Sequence, residues 1–136
     1  MSKIFVDTNI LVYAFDHADP KRMKSARHSL KSLEENNNGV LSTQVMQEFY
    51  VSMVQKLKAD PLFVKEIIRS FRNFETVQVS SDLIDQAIDC SILKKYSFWD
   101  SLIIVCAEQA HCEILWTEDL HHNQTVRGVK IINPFN

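Results

Sequence analysis

Apolar positions along this chain fall in short unbroken runs that alternate with segments carrying apolar residues every three or four positions. Lys3 to Val6 is a short apolar run that stops at Asp7, the pattern of a buried strand. Asn9 to Phe15 is apolar almost all round, as a buried helical turn is. Asp19-Pro20 supplies an N-cap and a proline at the first helical position. The helix it opens runs to about Glu35, with Met23, Ala26, Leu30 and Leu33 on one face. Asn36-Asn37-Asn38-Gly39 breaks it in a turn, since Gly and Asn accept a positive φ. Val40-Leu41-Ser42 reads as a second strand, and Ser42 or Thr43 caps a helix to about Lys58. There Val45, Phe49, Met53 and Leu57 recur every four residues, with Tyr50 and Val54 beside them. Asp60-Pro61 starts a further helix through Arg72. Thr76 to Val79 alternates as a strand, and Ser80 to Lys95 is helical with Leu83, Ile84, Ala87, Ile88 and Leu93 inward. Phe98-Trp99-Asp100 leads into a strongly apolar helix to about His111. Glu113 to Trp116 is a strand, Thr117 to Gly128 mostly loop, and Lys130 to Ile132 a last strand.

Strands separated by helices predict an α/β fold, a three-layer α/β/α arrangement around a short, mostly parallel sheet. No linker, repeat or low-complexity segment interrupts the pattern, so residues 1–136 are expected to form one domain. With only 2 Gly and 3 Pro the chain lacks the turn residues of an all-β barrel or sandwich. Apolar residues make up 46% and charged residues 24%, which excludes a disordered chain. The longest clear apolar run, Leu102 to Ala107, is too short for a membrane span, and an acid at position 7 argues against a secretory signal. Three cysteines, Cys90, Cys106 and Cys112, are an odd set without CxxC spacing and are expected to be reduced packing residues of a cytoplasmic protein. His121-His122 lacks ligand partners at metal spacing and reads as polar loop.

Ligands of an open parallel sheet bind beyond the carboxyl ends of its strands, and four acids fall there. Asp7 ends the first strand. Glu48 lies six residues beyond the second, Asp100 opens the apolar helix 100–111, and Asp119 follows the strand ending at Trp116. Each has an ordinary explanation: Asp7 and Asp100 as helix caps, Asp119 as a turn residue, Glu48 as a solvated helix position. The flanks argue otherwise. Glu48 sits between Gln47 and Phe49 in a very apolar stretch, and Asp100 lies between Trp99 and Leu102-Ile103-Ile104. Acids in such surroundings are costly unless paired or metal-bound, and four converging carboxylates need cations to offset their repulsion. An all-oxygen set suits Mg²⁺, with Mn²⁺ an alternative. The matching chemistry is phosphodiester hydrolysis. No Ser-His or Cys-His constellation and no GxxxxGK[ST] loop offers a rival.

Four segments carry a family likeness. Phe5-Val6-Asp7-Thr8-Asn9-Ile10-Leu11-Val12-Tyr13 resembles the opening motif of PIN-domain proteins. Ser42-Thr43-Gln44-Val45-Met46-Gln47-Glu48-Phe49-Tyr50 resembles their second, Phe98-Trp99-Asp100-Ser101-Leu102-Ile103-Ile104 their third, and Thr117-Glu118-Asp119-Leu120 their fourth. The resemblance extends over essentially the whole chain and is greatest to VapC-type toxins of toxin–antitoxin pairs. It implies a PIN-like fold, metal-dependent endoribonuclease activity, a homodimer and a small antitoxin partner. By position, Asp7, Glu48, Asp100 and Asp119 would form the acidic cluster. Asp7 and Asp100 would be the main metal ligands, Asp119 a ligand directly or through water, and Glu48 the holder of a second ion or the orienter of the attacking water. Cleavage in the family leaves a 5′-phosphate and a 3′-hydroxyl. Asn9 reads as a hydrogen-bonder orienting a carboxylate. Thr117 either does the same or caps a turn. Glu118 could replace or supplement Asp119. Asn123 stands where related sequences often carry Gly, and Asn also tolerates a left-handed backbone.

Net charge is −2, so no global basic field draws in RNA. Lys24, Arg27 and Lys31 form one basic stripe and Lys65, Arg69 and Arg72 another; each is either a solvated helix face or a set of phosphate contacts. Exposed apolar residues among the early helices could serve a second copy or an antitoxin. Two other functions fit parts of the pattern. One is an RNA-processing nuclease of the same family without an antitoxin. The other is a receiver-like signalling module, which expects an adjacent pair of acids near the first strand, whereas Asp7 stands alone.

Overall fold

The computed structural model describes residues 2–136. Six strands form one sheet: β1 (Ile4–Val6), β2 (Gly39–Ser42), β3 (Glu75–Val77), β4 (Ile114–Trp116), β5 (Thr125–Val126) and β6 (Val129–Ile132). Their order is β3-β2-β1-β4-β6-β5. Every pairing is parallel except β5 with β6. The helices are α1 (Thr8–Tyr13), α2 (Pro20–Asn36), α3 (Thr43–Gln55), α4 (Pro61–Ser70), α5 (Ser81–Lys94) and α6 (Phe98–Gln109). They form two groups: α1 packs on α2 and α3, and α3 on α4, while α5 packs on α6. The fold is therefore α/β, with a central, mostly parallel sheet flanked by helices.

The caps read from the sequence are made by side chains. Asp19 accepts from the Arg22 N–H, Asp60 from the Phe63 N–H, and Ser42 rather than Thr43 accepts from the Val45 N–H. Phe5, Leu41, Leu115 and Ile131 of the four inner strands are fully buried, as parallel strands covered on both faces must be. Phe49 of α3 stacks edge-to-face on Phe15 and on Phe71, which opens the short 3-10 turn after α4. The three cysteines are free and buried. No helix among the described residues is long and apolar enough to cross a membrane.

Four local expectations change. Thr125–Val126, in the segment read as loop, is a strand whose two residues pair antiparallel with β6; so short a strand leaves no period to detect. The turn after α2 takes its positive φ at Asn37 (53°), not at Gly39. Gly39 opens β2 for a different reason: a Cβ there would lie 2.5 Å from the Phe74 ring. Asp100 is not a cap. Ser97 caps α6 by accepting from the Asp100 N–H, which leaves the Asp100 carboxylate free. Finally, α5 buries Leu83, Ala87 and Cys90 against its neighbours and leaves Ile84, Ile88 and Leu93 exposed, with Ile92. Two apolar stripes run along this helix, and α6 covers only one.

Candidate active site

The strand order reverses at β1 and β4, the point where an open α/β sheet forms a crevice beyond its carboxyl ends. Asp7 follows β1 directly, and Thr117 follows β4. The Thr117 hydroxyl donates to Asp7 Oδ2 at 2.8 Å, so one hydrogen bond spans the switch point. Asp7 Oδ1 accepts from the Thr8 N–H at 2.7 Å and caps α1. Capping α1 does not take Asp7 out of the cavity, which it also lines. Its neighbour Thr8 donates its hydroxyl to Glu48 Oε1 of α3 at 3.1 Å, and Gln44 Nε2, one turn earlier, reaches the same oxygen at 3.4 Å. Asn9 donates to Asp119 Oδ1 and Oδ2 at 3.1 and 3.2 Å. Thr117 Oγ1 also accepts from the Asp119 N–H at 3.1 Å. Thr117 thus does both things read for it: it holds a carboxylate and closes a turn.

Asp7, Asn9, Glu48, Asp100 and Asp119 line a single cavity of about 190 Å³. Thr117 stands behind Asp7 rather than in the lining. Glu118 is turned away and accepts from the Tyr13 hydroxyl at 2.8 Å. Burial pushes the Asp7 carboxyl up to about 7, and the nearby Asp119 and Glu48 charges add to this against the Thr117 and Thr8 hydrogen bonds. Glu48 is raised by burial and then by Asp100. Asp119 is raised by burial, then by Asp100 and Glu118. None of the ion pairs among the described residues reaches these four acids.

Carboxylates gathered around one cavity repel one another unless a cation lies among them, and the donors are all oxygen. Gln44 adds a buried Oε1 with no hydrogen-bond partner. Among the described residues no three His, Cys, Asp or Glu side chains are drawn close enough to enclose an ion. The acids instead ring a cavity with room for water. The donor chemistry, oxygen alone, suits a hard divalent cation rather than a soft one.

Sequence reasoning missed Thr8, Gln44, Ser52, Lys56, Trp99 and Ile103, which line the same cavity. A signal for three of them exists: Gln44, Glu48, Ser52 and Lys56 recur every four residues, one position before the apolar stripe of α3. Lys56 is the only basic side chain in the lining. Neither basic stripe reaches the cavity. Arg27 Nε donates to the Ala14 carbonyl at 2.6 Å and ties α2 to the end of α1, and Arg69 pairs with Glu66. His122 Nδ1 accepts from the Asn133 N–H, so this histidine fastens a loop. Asn123 takes φ 73°, the left-handed backbone its side chain tolerates.

Comparison with known proteins bears on the fold. A search by sequence among curated proteins finds no match. Solved structures match over nearly the full chain. A toxin–antitoxin complex from Klebsiella pneumoniae has TM-score 0.70 at 18% identity, covering 98% of each chain. VapC20 of Mycobacterium tuberculosis, described as a sarcin-ricin loop cleaving toxin, has TM-score 0.68 at 20% identity, covering 86% of this chain and 92% of that one. VapBC2 from Rickettsia felis, bound to a DNA fragment from its promoter, has TM-score 0.66 at 21% identity, covering 94% and 96%. The family model for the PIN domain matches residues 4–127. That span holds all four acids and sets aside a receiver-like module: the chain belongs to the PIN domain family.

Proposed function

We propose that residues 1–136 act as one divalent-metal-dependent endoribonuclease domain and serve as the toxin of a type II toxin–antitoxin pair. The observation that carries this reading is the meeting of Asp7, Glu48, Asp100 and Asp119 around one cavity at the switch point of a PIN chain. Asp7 and Asp100 would hold Mg²⁺ or Mn²⁺, with Asp119 bound directly or through water, and Glu48 would hold a second ion or orient the attacking water. When bound, the ion lowers the pKa of water and offsets charge on the phosphoryl oxygens.

The chain's own contribution is placement. Thr117 and the Thr8 N–H fix both oxygens of Asp7. Asn9 fixes Asp119, and the Thr8 hydroxyl and Gln44 fix Glu48. Carboxylates locked by such partners keep productive geometry without rearranging during the reaction. Where Glu48 orients the water rather than holding a second ion, it accepts a hydrogen bond from that water, the water oxygen bonds to phosphorus as the bond from phosphorus to the 3′-oxygen breaks, and the water's proton ends on the 3′-oxygen. The 3′-oxygen departs, leaving a 5′-phosphate and a 3′-hydroxyl. Glu118, engaged with Tyr13, is not a ligand in this scheme.

The toxin assignment is supported by structural neighbours that are toxins of such pairs, two of them solved as toxin–antitoxin complexes. A homodimer is supported by the uncovered stripe of Ile84, Ile88, Ile92 and Leu93 on α5. Three free, buried thiols suit a reducing cytoplasm.

The test is cleavage of total cellular RNA by the purified, antitoxin-free protein with Mg²⁺, with Mn²⁺ and with EDTA, beside Asp100→Asn. Cutting that needs metal and disappears in the variant is expected. A folded, metal-loaded protein that leaves the RNA intact would overturn the nuclease assignment.

A further inference from the structure

Trp99 precedes Asp100, yet its indole is 61% exposed. Leaving so large an apolar ring in water forgoes the stabilisation its burial would bring. The ring is not loose. The Trp99 carbonyl accepts from Gln44 Nε2 at 3.3 Å, and Phe98 packs edge-to-face on the indole, with centroids 5.1 Å apart and planes at 78°. Trp99 also lines two cavities. One is the acidic cavity of about 190 Å³. The other, of about 370 Å³, is bounded by Gln44, Gln47, Glu48, Val51, Ser52 and Trp99. The two share Gln44, Glu48, Ser52 and Trp99, so the cavity beside the indole directly adjoins the acidic one.

We infer that Trp99 is a stacking platform that holds an unpaired base of the RNA beside the bond to be cut. The inference rests on the nuclease reading of the acidic end. A phosphate seated at the acids carries its neighbouring nucleotide into the larger cavity, where the only aromatic ring in the lining is Trp99. Every base has a π-face, so stacking there is tolerant of sequence. A base inside a duplex is stacked on both sides and cannot reach such a ring. The ring can therefore position the neighbouring nucleotide only where that nucleotide is unpaired. Trp99 acts here as a positioning residue for the substrate, with no part in the proton or phosphoryl chemistry.

The experiment uses the full chain carrying Asp100→Asn, so that RNA is bound but not cut. Binding of labelled oligoadenylate, and of the same strand closed into a duplex with oligouridylate, is followed by fluorescence anisotropy with Mg²⁺ present. Adding Trp99→Ala should weaken binding of the single strand about ten- to a hundredfold. Trp99→Phe should recover most of that loss, and the duplex should bind poorly to all three proteins. In the cutting-competent chain, Trp99→Ala should raise KM and leave kcat within a few fold. Equal single-strand affinity for Trp99→Ala and its parent would overturn the inference. So would a loss that Trp99→Phe does not recover, accompanied by a shift in sedimentation from dimer to monomer, because Trp99 would then be covered by a second copy. The two readings fail separately. Cleavage with Trp99-independent binding strikes only the platform, whereas Trp99-dependent binding without cleavage by the parent chain strikes only the nuclease.

Discussion

Two faces of one helix, α3, differ by a single position in the sequence and by everything in their surroundings. Val45, Phe49 and Met53 are at most 1% exposed and lie in the core with the sheet. Gln44, Glu48 and Ser52, each one residue earlier, line the acidic cavity together with Lys56 just past the helix end. One residue turns a helix by about 100°, enough to carry a side chain from dry packing to a polar cleft. The apolar face holds the helix in place. The polar face uses that rigidity to present a carboxylate that burial and Asp100 hold above its ordinary range. Core packing and cavity lining are thus drawn from the same thirteen-residue helix, through side chains that do not overlap.

Substitutions one residue apart should separate the two. Phe49→Ala removes a ring packed on both Phe15 and Phe71. It should cost about 3–5 kcal/mol in urea unfolding, while the protein that remains folded still cleaves RNA. Glu48→Gln keeps the shape and the acceptor that Thr8 uses. It should lower cleavage about a hundredfold or more and leave the urea midpoint unchanged or slightly higher, because a buried charge is gone. A Phe49→Ala protein that is folded and inactive, or a Glu48→Gln protein that unfolds early, would show that the two faces are not separable.

The comparison sharpens at Asp7, where one side chain serves both ends: it caps α1 and faces the cavity. Its carboxyl titrates near 7 in the folded chain against 3.8 as the ordinary value. The unfolded chain therefore gives up this proton first as pH rises, and the folded state is left binding more protons. Metal-free protein should lose stability between about pH 4 and pH 7 and then level off, by roughly 2–4 kcal/mol from this group. Asp7→Asn should flatten that slope, and Mg²⁺ should restore stability above pH 7 in the parent only. Thermal melts in EDTA and in Mg²⁺ across this range give the measurement. A parent protein whose metal-free melting point is flat between pH 5 and pH 8 would mean that the Asp7 charge is already compensated.

The legible parts of the molecule are those in which neighbouring residues state their own period. The Val45-Phe49-Met53-Leu57 repeat, the Asp-Pro openings of α2 and α4 and the run before Asp7 each signal structure over a few positions, and the architecture follows from their order. The four acids drew notice for two reasons: Asp7 and Asp119 lie just beyond β1 and β4, and Glu48 and Asp100 have apolar flanks within α3 and α6. Three things were not legible. The antiparallel β5 is too short to carry a pattern. The two stripes of α5, Leu83-Ala87-Cys90 and Ile84-Ile88-Ile92, are equally apolar, and only packing against α6 decides which is covered. The partners of the acids, Thr8 holding Glu48 and Gln44 reaching across to Trp99, are 40 and 55 residues apart in sequence. No local period reports such contacts.

Lys56 offers the smallest expected effect and the finest test of the polar face. It is exposed and lines the acidic cavity without pairing with an acid. A lone cation at the edge of a carboxylate cluster is placed to meet the phosphate next to the one being cut. Such a contact supplies affinity that salt weakens, because each neutralised phosphate releases counterions. Lys56→Ala should therefore raise KM several-fold at low salt and leave kcat and the urea midpoint unchanged. It should also reduce the slope of log affinity against log salt for single-stranded RNA by about 0.7, the share of one phosphate. The slope discriminates where affinity alone does not. If Lys56 only softened the repulsion among Glu48, Asp100 and Asp119, its removal would weaken metal binding and lower kcat at limiting Mg²⁺, with the salt slope intact. The polar stripe of α3 would then be a metal-holding surface along its whole length, with no substrate contact at its end.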